Sequence, residues 1–345
     1  MMNRDDMLSN NDILKEPPYD FEIEKIADVI LRGGYKKILI QMPDGLKIYS
    51  KYIRDEIVKR VGNVEIVFSG DSAWGSCLLD DVEAARGGYD LLVHIGHIEY
   101  PYYKSSHRTL FIPAYSRLSI SEDLISKLFD ALDLYKINSV GVVSTIQHIK
   151  LLPEILKVLS TRYKVFKGSG LGAVMGCEYS SAIAISRYVD AYVIISGGVF
   201  HGLGLGLSVL GKPVIKLDPY ESKVVDLTKE IDKILRIRIH KIHEASEARN
   251  WVLIDGVKGQ NRSWFRRYLE HLIKSRGGDY IVYVSENITK DLLINIDSNW
   301  VDAYIILACP RIPIDDLYDF YKPVLTPAEA RMILTGKKDR YYFPW

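Results

Sequence analysis

The strongest constraint on this chain is that one pattern of apolar segments occurs three times in the same order. It opens with an amphipathic helix at Ile23, Ile26, Ala27, Ile30 and Leu31, ended by Gly33 and Gly34. Four short apolar strands follow: KKILIQMP, VEIVFSGD, DLLVHIGH and TLFIPAY. The order returns at Leu124, Leu128 and Leu132, with SVGVVST, YKVFKGS, AYVIISGG and PVIKLDP. It returns again at Val224, Leu227, Ile231, Ile234 and Leu235, with WVLIDG, YIVYVSE, AYIILACP and PVLTP. Strands apolar throughout are buried on both faces, and helix-length connections between them imply a parallel sheet with right-handed crossovers. The pattern predicts an α/β protein of three successive similar domains, over residues 17–118, 119–221 and 222–345. Each is expected to be a four-stranded parallel sheet flanked by helices. Residues 1–16 read as a disordered arm, and the closing GKKDRYYFPW, basic then aromatic, is expected to dock on the fold.

Composition narrows the class. A net charge of +1 and an unclustered 26% of charged residues give no reason for a nucleic-acid partner. No apolar run reaches the roughly 20 residues of a membrane span, and the polar opening MMNRDDMLSNND is not a signal peptide, so a cytoplasmic, membrane-free protein is expected. The sequence holds 3 cysteines, an odd number that cannot all pair within the chain.

Those cysteines fall where parallel sheets bind ligands, at the carboxyl ends of strands. Cys77 follows the second strand of the first repeat in GDSAWGSCLLDD, and Cys177 the second strand of the second in GSGLGAVMGCEYSSA. Cys309 closes the third strand of the third repeat in LACPRIPIDD. Gly75, Gly176 and Pro310 beside them leave room for backbone to approach a bulky group. The plainer reading is three unrelated buried thiols. One cysteine per repeat, each at the ligand edge, favours a shared metal centre with the domains in pseudo-threefold array around it. Structural zinc uses four ligands with short paired spacings, which are absent here. Three thiolates suit a 4Fe–4S cluster whose fourth iron is open to substrate.

With QMPDGLK, GD…GSC…DD, LVHIGH, VMGCEYSSA and ACPRIPIDD followed by KPVLTPAE, the chain resembles the archaeal-type diphthamide synthase family over roughly residues 17–330. The resemblance implies a noncanonical radical enzyme, a transferase with Cys77, Cys177 and Cys309 holding the cluster. It implies that S-adenosylmethionine binds the open iron and gives its 3-amino-3-carboxypropyl group to imidazole C2 of a histidine in elongation factor 2, releasing methylthioadenosine. A homodimer and an electron donor are implied as well. The family often has Tyr-Gly-Ala where this chain has Trp74, Gly75 and Ser76, and a serine after Gly-His where Ile98 and Glu99 stand. These departures bear on loop shape and remove no ligand.

For S-adenosylmethionine the candidates are the strand-end residues Gln41, Asp44 and His97, and the glycine-rich run SGGVFHGLGLGLS with Gly198, His201 and Gly202. Backbone N–H groups in such a run suit a carboxylate. The plainer alternatives are close backbone packing for the glycines, a turn or cap for Asp44 and Gly45, and a satisfied core position for His94. Asp315 and Asp316 read as a helix cap. Nothing marks the base that takes the imidazole proton. The competing readings are another three-cysteine iron–sulfur enzyme, such as quinolinate synthase or hydroxymethylbutenyl diphosphate reductase, a noncatalytic iron–sulfur partner, and a cluster-free binding module. A diphosphate site would show clustered Arg, Lys or His at strand ends, which are not found.

Overall fold

The computed structural model describes residues 17–337 and 339–345; the arm expected over residues 1–16 lies outside the described residues. The chain divides into two compact units, the first running to Leu118 and including Ile146–Lys150, the second made of Ser119–Thr145 and Leu151–Trp345.

In the first unit the helix Ile23–Gly33 buries Ile23, Ile26, Ala27 and Ile30, the one-face spacing read from the sequence. Gly34, at φ 64°, ends it by donating its N–H back to Ile30 and Leu31, a left-handed conformation that glycine adopts without Cβ strain. Each buried isoleucine contributes about 1.5–3 kcal/mol. The helix covers a four-stranded parallel sheet ordered Glu65–Phe68, Lys37–Gln41, Leu91–Ile95, Thr109–Ile112. Ile38, Ile40, Val93 and Ile112 from these strands are fully buried in one core with Ile26 and Ile53.

The second unit holds two sheets. One is parallel and four-stranded, ordered Asp279–Val284, Asn250–Asp255, Ala303–Ile306, Val324–Leu325. The other has five strands, ordered Lys223–Asp226, Val214–Asp218, Ala191–Ile195, Ser139–Ser144, Lys164–Lys167, and its first strand runs antiparallel. That strand departs from the expected pattern, because Val224 was read as opening a helix. Asp218 accepts the N–H groups of Tyr220 and Glu221, turning the chain back so that Val224 pairs with Leu217. The helix starts only at Thr228 and runs to Glu244. Residue 222 therefore falls inside a hairpin of the five-stranded sheet, and one core runs from Val143 and Ile194 through Leu205 to Leu253 and Ile305.

Two parallel sheets and one mainly parallel sheet thus appear in the predicted α/β order, with most strands where the apolar runs placed them. The closing aromatics do dock: Tyr341 and Phe343 are buried in the second unit's core. The Tyr341 hydroxyl donates to Glu329, and Glu329 grips the fully buried Arg238 through two bonds of 2.9 and 2.6 Å. Glu329 also closes a capping box with Thr326 over the helix Pro327–Thr335. No helix among the described residues is long and apolar enough to cross a membrane.

Candidate metal centre and its surroundings

None of the three cysteines is in a disulfide, and each is of intermediate burial. Each follows a strand of a parallel sheet, the edge at which such sheets receive ligands. Three soft sulfur donors in a chain with no fourth cysteine suit an iron–sulfur cluster better than zinc. Within either unit taken alone, no group of three or more His, Cys, Asp and Glu side chains among the described residues is arranged as a metal site.

In the first unit Cys77 lies in the short turn Ser76–Leu78, and the turn is pinned from below. Gln41, fully buried at the end of its strand, donates its amide N–H to the Leu78 carbonyl at 2.8 Å. Its oxygen accepts the Asp80 N–H at 3.3 Å and faces Nδ1 of His94 at 2.9 Å. Beyond this, Asp81 is buried and accepts the Ser106 N–H at 2.6 Å, the Ser106 hydroxyl at 2.7 Å and the Tyr103 hydroxyl at 2.9 Å. Burial pushes the Asp81 carboxyl up, and these bonds outweigh it, leaving the pKa below the ordinary value. One strand end therefore holds the C-terminal side of the cysteine turn by hydrogen bonds.

The other candidates of this unit have defined partners. Asp44 is exposed and bonded to Lys47 at 2.7 Å and Ser72 at 2.7 Å; those two hydrogen bonds lower its pKa. His94 is fully buried and His97 half-buried, with Nε2 of the first 2.9 Å from Nδ1 of the second. Burial, together with His97, pulls His94 well below the usual imidazole value, and burial holds His97 at about 4. Trp74, three residues before Cys77, is 77% exposed.

In the second unit Cys177 and Cys309 both lie within electrostatic range of one buried side chain. Both act electrostatically on the buried Tyr179 hydroxyl, as do Arg311 and Asp315; burial is the main cause of that hydroxyl's raised pKa. Arg311 is itself buried and donates through Nε and Nη2 to Asp315 at 2.8 and 2.9 Å. Its guanidinium lies 4.1 Å from the Phe200 ring centre, while Nη1 has no hydrogen-bond partner. Asp315 thus pairs with an arginine, where a helix cap was expected, and burial raises its pKa despite the arginine. Tyr179 also meets Phe343 of the tail, ring centres 6.3 Å apart.

The glycine-rich run is a helix, Phe200–Ser208, where a loop was expected. A Cβ on Gly202 would stand 2.3 Å from Leu227, and one on Gly206 2.2 Å from Ile231, so these glycines let two helices close on each other. A Cβ on Gly204 would meet the Tyr179 hydroxyl at 2.0 Å and Nη1 of Arg311 at 2.7 Å. Gly198, at φ 59°, stays in the preceding loop and donates to Asp218, and His201 follows beside Phe200. Sequence reasoning missed Tyr179, Phe200 and Arg311 as neighbours of the cysteines. The signal was spacing: Tyr179 and Arg311 each lie two residues after a cysteine, Cys177 and Cys309.

A family model for putative diphthamide synthesis proteins matches residues 42–343. The 2-(3-amino-3-carboxypropyl)histidine synthase of Pyrococcus horikoshii is 31% identical over 327 residues, 92% of this chain and 91% of that protein. The Gallus gallus protein named as subunit 1 of that synthase is 31% identical over 331 residues, covering 92% and 77%. The crystal structure of Dph2 from Pyrococcus horikoshii matches with a TM-score of 0.80 at 28% identity, covering 94% of this chain and 93% of that one. The structure of Dph2 with a 4Fe-4S cluster matches with a TM-score of 0.79 at 30% identity. Fold and likeness together define an α/β enzyme of the transferase class. The chain belongs to the diphthamide synthesis protein family.

Proposed function

We propose that this enzyme transfers the 3-amino-3-carboxypropyl group of S-adenosylmethionine to imidazole C2 of a histidine in elongation factor 2, releasing methylthioadenosine. In this reading Cys77, Cys177 and Cys309 hold a 4Fe–4S cluster, the enzyme works as a homodimer, and a separate electron donor serves it. When bound, the cluster supplies an iron free of thiolate for S-adenosylmethionine and the electron that breaks its bond from sulfur to the aminocarboxypropyl carbon.

The chain's own residues support the rest. Gln41 keeps the C-terminal side of the Cys77 turn in one conformation, which spares ordering cost when the ligand is engaged. Arg311, held by Asp315 and against the Phe200 ring, keeps its Nη1 without a partner in the neighbourhood of the Tyr179 hydroxyl. A buried guanidinium left with an open donor suits the carboxylate of S-adenosylmethionine, and Gly198 and His201 flank Phe200 on the same segment. Tyr179, its pKa raised by burial, stays protonated beside Arg311.

The observation that carries the reading is that Cys177, Cys309 and Arg311 all lie within electrostatic range of the buried Tyr179 hydroxyl in a chain of this family. The test is anaerobic reconstitution with S-adenosylmethionine, dithionite and elongation factor 2, followed by chromatography of the released nucleoside. Methylthioadenosine that requires reductant, and disappears in Cys309→Ala, is the expected result. Release of 5′-deoxyadenosine would overturn the assigned bond cleavage.

A further inference from the structure

The proton that leaves imidazole C2 has no acceptor in the account above, and the hydrogen bonds beneath the Cys77 turn supply one. Their polarity follows step by step. The Leu78 carbonyl only accepts and the Asp80 N–H only donates, so the Gln41 amide nitrogen faces Leu78 and its oxygen faces Asp80. That oxygen cannot donate, so the proton between it and His94 sits on His94 Nδ1. His94 is fully buried and neutral, so its Nε2 carries a lone pair. His97 must then donate to it from Nδ1. A neutral His97 with its proton on Nδ1 has a proton-free Nε2, set at the end of the strand Leu91–Ile95.

We propose that Nε2 of His97 accepts the imidazole C2 proton of the substrate histidine, with Gln41 and His94 as positioning residues that fix its tautomer. This role rests on the transfer reaction proposed above. The stoichiometry requires an acceptor by whatever route the group travels. S-adenosylmethionine and an imidazole C2–H give methylthioadenosine, a C2–alkyl imidazole and one proton. The bond from sulfur to the alkyl carbon and the C2–H bond break, one carbon–carbon bond forms, and no net electron is gained or lost. The departing proton restores an aromatic ring, which makes it strongly acidic. A nitrogen that burial keeps unprotonated at neutral pH is therefore an adequate acceptor. In the same strand pair, Gln41 holds the Cys77 turn, so the base and a proposed cluster ligand share one rigid support.

Two measurements on the full chain test this. In protein labelled with nitrogen-15 histidine, long-range proton–nitrogen spectra should show His97 protonated at Nδ1 and bare at Nε2. Gln41→Glu or His94→Phe should scramble that tautomer. A proton on Nε2 in the unmodified protein overturns the inference whether or not any variant folds. The second is kinetic, on reconstituted His97→Gln of matched iron and sulfide content. Modification should fall roughly 100-fold, methylthioadenosine released per modified histidine should rise, and substrate deuterated at imidazole C2 should reveal an isotope effect absent from the unmodified enzyme. Modification by His97→Gln at the unmodified rate overturns the inference alone. An unmodified enzyme that releases no methylthioadenosine overturns the transfer reaction, and the base role falls with it.

Discussion

Replacing Gln41 with leucine should loosen the Cys77 turn by an amount the structure lets one estimate. The two side chains are close in volume, so the change leaves little cavity and acts through polar groups. It strips partners from the Leu78 carbonyl, the Asp80 N–H and Nδ1–H of His94, bonded at 2.8, 3.3 and 2.9 Å. Gln41 and His94 are fully buried, so water cannot easily replace these bonds. Each orphaned group costs about 1–3 kcal/mol, for a gross loss of about 3–9 kcal/mol. The longest bond belongs at the low end, and relaxation with added apolar burial returns part of the cost. A net loss near 3 kcal/mol is expected, which is a large share of a typical domain's stability. The assay is amide hydrogen exchange at Asp80, whose protection should fall roughly 100-fold. In parallel, iron release from reconstituted protein under chelator challenge should accelerate. Exchange at Asp80 within threefold of the unmodified protein, with iron held as long, would refute the idea that this amide carries the turn.

Two further outcomes follow from buried charge and from burial of imidazole. Glu329→Ala leaves Arg238, 1% exposed, without its carboxylate and frees the Tyr341 hydroxyl; a loss of about 3–5 kcal/mol is expected in urea unfolding, and a loss below about 1 kcal/mol would contradict it. His94 and His97 titrate lower when folded than the ordinary 6.5, so their stabilisation is complete above pH 6.5 and is lost as pH falls toward 4; unfolding free energy should drop by up to about 1.4 kcal/mol per pH unit for each, and a flat profile from pH 7 to 5 would count against the buried neutral pair.

What the sequence disclosed depended on whether a feature was local. Strands such as Leu91–Ile95 and Ala191–Ile195 are buried at every position, so their continuous apolar runs were legible without knowledge of neighbours. The antiparallel strand Lys223–Asp226 was not. KVVD merges with the helical periodicity that follows, and only the Asp218 turn separates them. The helix Phe200–Ser208 was misread as a loop because each interior glycine costs about 1 kcal/mol of helix propensity. Its justification lies in distant residues, Leu227, Ile231, Tyr179 and Arg311, which leave no room for a Cβ. The positions of the cysteines after strands were readable for the same reason the strands were. The Gln41–His94–His97 relay was not, since its register depends on two adjacent strands pairing Gln41 with His94.

The segment most diagnostic of the family turns out to do two different jobs. In ACPRIPIDD, buried Arg311 pairs with half-buried Asp315 close after Cys309, with the guanidinium Nη1 left without a partner, an arrangement that costs stability unless a ligand completes it. In KPVLTPAE, Thr326, Pro327 and Glu329 start and cap a helix, and Glu329 is then satisfied by Arg238, Tyr341 and the Thr326 N–H. Nothing in that second motif is left over for chemistry. A motif can therefore be rare because its buried charges admit few solutions, and specificity in sequence separates from involvement in the reaction. The distinguishing mark is an unsatisfied donor: Arg311 keeps one, and Glu329 has spent every acceptor it has on the fold.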